Sequence, residues 1–229
     1  MPEPTPQTFN HFAMVAFTDA FWRQARERRR ELLCGWLEPL RNAVDALHFY
    51  QTFGVESPSD LLVWSAVVGD DGAIPARFFE RFAETLAPAR HAVKLRTALW
   101  GFTKPSQYTR TRSRQEIDPF AAERLPYLVM YPFTKTAEWY QRDAEERRAM
   151  MLEHIKIGKQ YEDITQLLLY STGLQDQEFV VVYETHDLLR FSSLVTNLRS
   201  TAARPFTERD TPLHTAIHQP GLEALTRWL

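Results

Sequence analysis

The stretch YPFTKTAEWYQRDAEERRAMMLEHIKIGKQYEDITQ, residues 131–166, holds one predicted helix between two predicted strands. Asp143 followed three residues later by Glu146 is a capping-box pattern, which satisfies the free backbone donors at a helix start. The pattern therefore predicts a helix that begins near Ala144 and continues to about Gln160.

A histidine lies on the apolar side of this predicted helix. Residues three and four apart share a helix face, and His154 shares its face with Met151 and Gly158. The simplest interpretation is a core histidine bonded to a backbone carbonyl. A ligand-binding role is favoured because Gly158 removes bulk beside the ring and Met151 packs adaptably. One isolated histidine is more typical of haem iron than of zinc, which takes three or four ligands.

The strand that precedes the helix contributes further candidates. Tyr131 and Lys135 can direct a phenol and a cation toward the space beside His154. Trp139 lies between Lys135 and the helix cap and is the tryptophan that we expect near a ligand. The other tryptophans are interpreted as core or interface residues, and the other histidines, which lack metal-site spacing, as structural.

Composition limits the possible partners and compartment. A formal net charge of -2 gives no basic surface for nucleic acid or an anionic membrane. The single cysteine, Cys34, excludes an internal disulfide and a cysteine-rich metal site, and indicates a reducing compartment. The N-terminal sequence MPEPTPQTFN is not a signal peptide, and no apolar run reaches the length of a membrane span. We therefore expect a cytoplasmic protein with a disordered, proline-rich tail over residues 1–8.

The chain contains an internal repeat. The matching segments are FAMVAFT at 12–18 with LVMYPFT at 128–134, Glu27–Arg29 with Glu146–Arg148, and TFGV at 52–55 with STGL at 171–174. Each half predicts the order strand, helix, strand, strand, helix, strand. The repeat indicates an α+β protein of two ferredoxin-like units, residues 9–103 and 121–229, joined by a linker at 104–120. Their sheets are expected to pack together or to close into a barrel.

Several element boundaries follow from the local patterns. In the first half, a strand is predicted at residues 11–17, followed by one continuous helix that Asp19 caps and that runs from Phe21 through Leu40. A further helix is predicted at residues 76–86. In the second half, Asp187 is expected to cap the last long helix.

The repeat also locates the candidate chemistry. Gly35 stands 119 positions before His154, and Val15 stands 116 positions before Tyr131. The second copy therefore has an imidazole and a phenol where the first copy has neither, which places the candidate site in the C-terminal half. Simple divergence of the two copies would produce the same difference, and that alternative stays open.

These segments resemble the chlorite dismutase superfamily, and most closely its coproheme decarboxylase branch, also called HemQ. The resemblance is carried by YPFTK, EWYQRDAEERRAMMLEH and YSTGLQDQEFVVVYETHDLLRFSSLV, and it extends from FAMVAFT to ERDTP. It implies duplicated ferredoxin-like units that form a dimeric α+β barrel, assembled as a homopentamer. It also implies haem or coproheme bound in the C-terminal unit.

The resemblance assigns roles to the catalytic candidates. It makes His154 the proximal iron ligand, Tyr131 the tyrosine whose radical removes a hydrogen atom from a propionate, and Lys135 a residue near the reacting group. Lys159 falls where some relatives carry a propionate-facing arginine. Met151 and Trp139 are then expected to line the porphyrin site.

Two positions depart from the pattern of related proteins. Where true chlorite dismutases carry an arginine above the iron, this chain has Gln166, and a neutral amide cannot hold chlorite as a cationic fork can. Ala202 stands where relatives often have a glutamate, and in some relatives a carboxylate there bonds the proximal histidine. We interpret Arg199 and Arg204, which flank it, as helix-end or surface charges.

Two functions follow from the resemblance. The first is oxidative decarboxylation of coproheme to haem b, with the iron porphyrin as substrate and hydrogen peroxide as co-substrate. The alternative is a haem-binding protein that acts as a weak peroxidase, carrier or sensor. Chlorite decomposition is not expected, since Gln166 replaces the required cation.

Overall fold

The computed structural model of the chain describes residues 7–56, 59–69, 71–105 and 113–225. Residue contacts divide the chain into two compact units. The first comprises the region up to Thr103, Pro119–Ala122 and the segment from Thr215 onward, and the second comprises Lys104–Asp118 and Glu123–His214. The predicted division had assigned everything after residue 120 to the second unit.

The first unit is an antiparallel sheet with helices. Its elements are β1 Thr8–Phe17, α1 Asp19–Trp22, α2 Arg26–Arg41, β2 Ala46–Gln51, β3 Leu61–Val68, α3 Ile74–Leu86, β4 Val93–Phe102 and α7 Leu222–Leu225. β1 pairs with β3 and β4, and β3 pairs with β2, which gives the strand order β4–β1–β3–β2. Strand β9, His214–Gln219, pairs with β2, and this pairing explains why the segment after His214 belongs to the first unit.

The second unit has the same arrangement. Its elements are β5 Tyr127–Lys135, α4 Ala137–Gln141, α5 Ala144–Gly158, β6 Thr165–Tyr170, β7 Phe179–Thr185, α6 Leu188–Leu198 and β8 Thr207–Arg209. β5 pairs antiparallel with β7 and β8, and β7 pairs with β6. The strand order is therefore β8–β5–β7–β6, which repeats the order of the first unit. Within the described part of the chain, no helix is both long and apolar enough to cross a membrane.

Local signals of the repeat and of the helix caps are confirmed. Gly54 and Gly173, equivalent in the two copies, both have positive φ, 77° and 76°, in the turn after β2 and after β6. Asp143 caps α5 by accepting a hydrogen bond from Glu145 N at 2.7 Å. Asp187 likewise caps α6.

The prediction of one continuous helix from Phe21 to Leu40 is wrong. The chain forms α1 and α2, with Ala25 in an extended conformation between them. Thr18, not Asp19, caps α1, and its side chain accepts a hydrogen bond from Phe21 N. The fully buried Phe21 ring stacks on Phe17 at 4.2 Å, so packing against β1 holds α1 as a separate element.

Two predicted boundaries also need adjustment. β1 begins at Thr8, three residues before the predicted strand and within the expected disordered tail. The rest of that tail, residues 1–6, lies outside the described residues, as do residues 106–112 of the predicted linker. The described part of the linker is not a simple connection, since it belongs to the second unit, where Gln115 hydrogen-bonds to Tyr161 O.

The equivalent helices α2 and α5 differ in burial. α2 buries an apolar row that fills the core of the first unit: Leu33, Trp36, Leu37 and Leu40. α5 buries no residue along its whole length, every position of which the structure describes. The second copy therefore has a helix that does not fill the space beneath it.

Candidate functional site

One face of the second unit's sheet carries two of the predicted site residues, Tyr131 and Gln166. In the strand register, Tyr131 lies opposite Val181, and Gln166 lies opposite Tyr183. Side chains directly opposite each other in an antiparallel pair project from the same face. We call this surface the tyrosine face, and it comprises Val129, Tyr131, Phe133, Gln166, Leu168, Tyr170, Phe179, Val181 and Tyr183.

The tyrosine face is only partly covered. The opposite face is buried throughout: Leu128, Met130, Leu167, Leu169, Val180 and Val182. α6 covers part of the tyrosine face through Phe191 and Leu194, which join Tyr183 in a buried cluster. By contrast, Leu168 is 38% exposed and Gln166 is also exposed. Because right-handed crossovers place α5 and α6 on one side of the sheet, the unburied helix α5 and this partly uncovered face belong to the same side.

His154 is a half-buried imidazole without a protein partner. Nδ1 is fully buried, and neither ring nitrogen hydrogen-bonds to another residue in the described ranges. Within the residues that the structure describes, the alternative that His154 is a core histidine bonded to a backbone carbonyl is therefore wrong. Burial and then the charge of Lys135 lower the pKa of His154, which keeps the imidazole neutral and able to bind a metal.

Open space surrounds the end of the helix that carries His154. A Cβ atom added to Gly158, one turn after His154, would meet no described atom within 4 Å. Met151, one turn before His154, is half-buried, as expected for a residue at the edge of a cavity.

Tyr131 and Tyr183 are a stacked pair of phenol rings on the tyrosine face. Their ring centroids are 6.2 Å apart with an interplanar angle of 26°. Burial raises the pKa of Tyr131, and the neighbouring Tyr183 hydroxyl opposes that rise. Burial raises the pKa of Tyr183 still further. Both phenols are therefore neutral hydrogen-bonding groups at physiological pH.

Lys135 lies over an aromatic ring close to His154. Its Nζ is 4.6 Å from the ring centroid of Trp139 and donates to Thr207 Oγ1 at 3.3 Å. Burial, followed by the charge of Arg204, lowers the pKa of Lys135 to about 8, whereas Glu178 acts in the opposite direction. Trp139 is 5% exposed, so its buried ring packs against the Lys135 ammonium. The structure thus brings Lys135, Trp139 and His154 together, and Lys135 shares the influence of the Arg204 charge with Tyr131.

The sequence analysis missed the charged groups around Tyr131. Arg204 forms a short ion pair with Asp210, and Arg199 Nη2 lies 3.9 Å from the same carboxylate. These three residues all act electrostatically on the Tyr131 phenol. The ion pair with Asp210 and the effect on Tyr131 therefore add to the helix-end or surface role that the sequence suggested for Arg204. No local signal could have found the cluster, because its residues lie at and after the end of α6, more than sixty positions from Tyr131.

Lys159 and Gln166 are less directly connected to this region. Lys159 is exposed at the C-terminal cap of α5, and no described contact joins its ammonium to Tyr131. Gln166 exposes its side chain, and its backbone N–H donates to Gln115 O at 2.7 Å. Its place on the tyrosine face beside Tyr183 nevertheless directs the amide to the same side of the sheet.

Gln115 connects the end of α5 to the start of β6. Its Nε2 lies within hydrogen-bond distance of three backbone oxygens, those of Gly158, Tyr161 and Ile164. The carboxamide can donate two hydrogens, so the three acceptors share them. This contact fixes the path of the chain between His154 and Gln166, and the linker sequence gave no sign of it.

A carboxylate lies where the sequence analysis found one missing. Glu153, adjacent to His154, accepts a hydrogen bond from Ala202 N at 3.0 Å. Its charge raises the pKa of the His154 imidazole and so opposes the effect of burial, which lowers that pKa. The chain therefore places a carboxylate beside Ala202, although the residue comes from α5.

Comparison with known protein families decides the assignment. A sequence model described as Chlorite dismutase matches residues 25–219. The chain belongs to the chlorite dismutase family. This confirms the resemblance stated for the sequence, and the matched range includes all the candidate site residues.

Individual relatives agree with that assignment. The chain is 27% identical to a coproheme decarboxylase of Mycolicibacterium smegmatis over 168 residues, which are 72% of this chain and 70% of that protein. Among solved structures, the putative chlorite dismutase TA0507 is similar with a TM-score of 0.80 at 21% identity, over 98% of this chain and 100% of that one. The chlorite dismutase of Candidatus Nitrospira defluvii in complex with imidazole gives a TM-score of 0.76 at 20% identity, over 96% and 94%. These structures share the mixed antiparallel fold.

Proposed function

We propose that this chain is a haem-dependent oxidoreductase that decarboxylates coproheme to haem b with hydrogen peroxide. The observation that carries the proposal is the pairing of an unburied helix α5, with its unpartnered His154, and a partly uncovered sheet face that bears Tyr131. The equivalent helix of the first unit fills its core, so the space is particular to the second unit. A flat apolar ligand with an iron atom suits such a space.

The residues present fit an iron porphyrin. His154 would supply a ring nitrogen to the iron, and its lowered pKa keeps that nitrogen free of a proton. Gly158 and Met151 would lie along the ring, and Trp139 supports Lys135 at its edge. When bound, the iron porphyrin would supply electron transfer to peroxide.

The reaction balances as a two-electron oxidation. One propionate releases two electrons, one proton and carbon dioxide and becomes a vinyl group, while one peroxide takes up two electrons and two protons and becomes two waters. Removing hydrogen from an unactivated carbon needs a radical, so we assign that step to Tyr131. Acid–base groups such as Lys135 cannot perform it.

The ammonium group of Lys135 would bind the carboxylate of the reacting propionate. With a pKa of about 8, its ammonium is mostly charged at neutral pH and can still release a proton. The surrounding aromatic ring of Trp139 excludes water from one side of the ammonium. We therefore assign Lys135 to binding the propionate next to Tyr131. Lys159 is exposed, so we assign it at most to a propionate at the solvent-exposed edge of the porphyrin.

Gln166 distinguishes this proposal from chlorite chemistry. A neutral amide on the tyrosine face offers hydrogen bonds without a charge, so it does not polarise an oxychlorine anion as arginine would. The coproheme decarboxylase among the relatives supports the same choice. We propose further that the two units are ferredoxin-like repeats that close into a dimeric α+β barrel, and that the protein is a cytoplasmic homopentamer.

The test is direct reconstitution. The purified protein is incubated with coproheme and hydrogen peroxide, and the porphyrin products are followed by mass spectrometry. The proposal expects stepwise conversion of two propionates to vinyl groups. Tyr131→Phe, which keeps the ring and removes the hydroxyl, should still bind coproheme but lose turnover. Tight binding without vinyl products in the parent protein would favour the alternative of a haem-binding carrier, sensor or weak peroxidase.

A further inference from the structure

Glu178, which directly precedes β7, binds the main chain of Lys135. Its Oε2 accepts a hydrogen bond from the Lys135 N–H at 2.7 Å, at the end of β5. The main chain of Glu178 is itself fixed, because its N–H donates to Phe133 O at 3.2 Å and its carbonyl oxygen accepts from Ser171 N at 2.7 Å. The half-buried carboxylate is therefore held by β5 on one side and by the turn after β6 on the other.

This contact lies where the backbone of β5 becomes irregular. The pairing of β5 with β7 ends at Phe133, and its pairing with β8 shifts register between Thr134 and Lys135. An irregularity of this kind redirects a side chain and leaves backbone groups that need other partners. The carboxylate of Glu178 supplies such a partner to Lys135, which pairs with Thr207 of β8. The end of β5 is thus fixed although its pairing is irregular.

The first unit has the same contact at an apolar residue. Asp60, which directly precedes β3, accepts a hydrogen bond at 2.6 Å from the N–H of Phe17, the last residue of β1. The carbonyl oxygen of Asp60 accepts from Thr52 N at 3.0 Å, and Thr52 is the repeat equivalent of Ser171. An acidic residue therefore binds the end of the first strand in both copies. It holds a buried phenylalanine in the first copy and Lys135 in the second.

The position of the Lys135 ammonium depends on where the main chain of this residue is held. Its Nζ lies 4.6 Å from the Trp139 ring centroid and donates to Thr207 Oγ1 at 3.3 Å. A group that takes part in a reaction has to be placed to within about 0.5 Å, and the supporting contacts provide that precision. A displaced main chain at Lys135 would move the ammonium away from both of these neighbours.

We propose that Glu178 is a positioning residue for Lys135: its carboxylate fixes the end of β5, so that the ammonium lies over Trp139 and meets the reacting propionate. The inference rests on the proposed function, which assigns Lys135 to that propionate. The negative charge of Glu178 also favours the ammonium form, in opposition to burial and to the charge of Arg204. One carboxylate thus sets both the place and the charge of the cation.

The first experiment uses the porphyrin-free protein with ¹³C-labelled lysine. The Cε and Hε resonances of Lys135, one of five lysines, are assigned by their loss in Lys135→Met. Because the Lys135 ammonium lies over the Trp139 ring, the ring current should displace these Hε resonances upfield. Glu178→Met keeps the length of the side chain and removes the acceptor, so it should reduce the displacement by at least half. An unchanged displacement would show that Glu178 does not position Lys135.

Glu178→Gln separates the hydrogen bond from the charge. Its amide oxygen can still accept from the Lys135 N–H, so the upfield displacement should persist. The negative charge is lost, so the pKa of Lys135 should fall below about 8 when the Cε resonance is titrated. If Glu178→Met does not fold, this titration decides. An unchanged Lys135 pKa in Glu178→Gln would place the carboxylate away from Lys135 and overturn the proposal.

Asp60 provides the matched control. Asp60→Asn and Asp60→Leu remove the charge and the acceptor from the equivalent contact in the first unit, where the bound residue is Phe17. Both variants should leave the Hε displacement and the pKa of Lys135 unchanged. Equal changes in the Asp60 and Glu178 variants would indicate a general loss of structure and contradict the positioning role.

The second experiment measures decarboxylation. Glu178→Met should lower kcat about tenfold, the effect of a single hydrogen bond, while KM for coproheme stays within about twofold of the parent. Glu178→Gln should recover most of this kcat at pH 7 and lose it at a lower pH than the parent as pH rises, since its Lys135 ammonium deprotonates earlier. A kcat of Glu178→Met equal to that of Asp60→Leu would contradict the proposal. A parent protein without any decarboxylation would overturn the proposed function, and the lysine resonances would still decide whether Glu178 positions Lys135.

Discussion

Gly158→Leu should separate porphyrin binding from folding. The added Cβ meets no described atom within 4 Å, and α5 has no buried residue, so the porphyrin-free protein can accept the side chain. Replacing a helical glycine removes backbone freedom from the unfolded chain, which should stabilise the fold by up to about 1 kcal/mol. The same side chain would occupy space beside His154 that we assign to the porphyrin.

The expected loss of affinity follows from that overlap. Forcing a side chain into an occupied, well-packed space typically costs about 1–3 kcal/mol, which corresponds to roughly 5- to 150-fold in Kd. Absorption titration with coproheme measures the affinity, and urea unfolding of the porphyrin-free protein measures the stability. Gly35→Leu is the matched control, since Gly35 is also helical and an added Cβ there meets no described atom within 4 Å. Parental coproheme affinity in Gly158→Leu would refute the placement of the porphyrin beside α5.

Three further predictions concern individual site residues. His154→Ala should abolish tight haem binding while changing the unfolding free energy by no more than about 1 kcal/mol, because no described hydrogen bond is lost; an unchanged haem absorption spectrum would exclude His154 as the ligand. Gln166→Arg should raise oxygen release from chlorite above a negligible parental level, and rapid release by the parent would contradict the argument from charge. Lys135→Met should stabilise the porphyrin-free protein by about 1–2 kcal/mol at pH 7, after the lost contact with Trp139 is subtracted. The folded-state pKa of Lys135 is depressed from 10.5 to about 8, so the stability difference in urea unfolding should shrink as pH rises between those values, and a constant difference would argue against a depressed pKa.

Local sequence signals predicted most of the fold. The caps at Asp143 and Asp187 and the equivalent glycines Gly54 and Gly173 depend on residues close in the chain, and each is found in the structure. The error at α1 had a different origin. The periodic pattern from Phe21 onward is helical on both sides of the break, and burial of Phe21 against Phe17 decides where the chain turns.

Local sequence signals predicted only part of the candidate site. The repeat pointed to the second copy, and the helix pattern placed His154 on its apolar side, but the residues that surround Tyr131 come from distant segments. Tyr183 and Asp210 reach the phenol through strand pairing and loop packing, which a single sequence does not specify. Tyr183 belongs to one of the segments that carry the family resemblance. It lies two residues after Val181 on β7, and this spacing, which puts both side chains on one face of the sheet, was the signal that could have placed it beside Tyr131.

The unburied helix α5 has a consequence for hydrogen exchange. An element without buried apolar contacts opens locally at low free energy, so the amides of α5 should exchange well before those of α2 when no porphyrin is present. Its polar ties are few, chiefly Gln115 to the carbonyl of Gly158 and Glu153 to the amide of Ala202. A ligand seated under the helix would add the missing contacts, and protection of α5 would then rise with ligand concentration by mass action. The helix to which we assign the iron ligand would thus gain its missing contacts only from the ligand, which would complete the local fold.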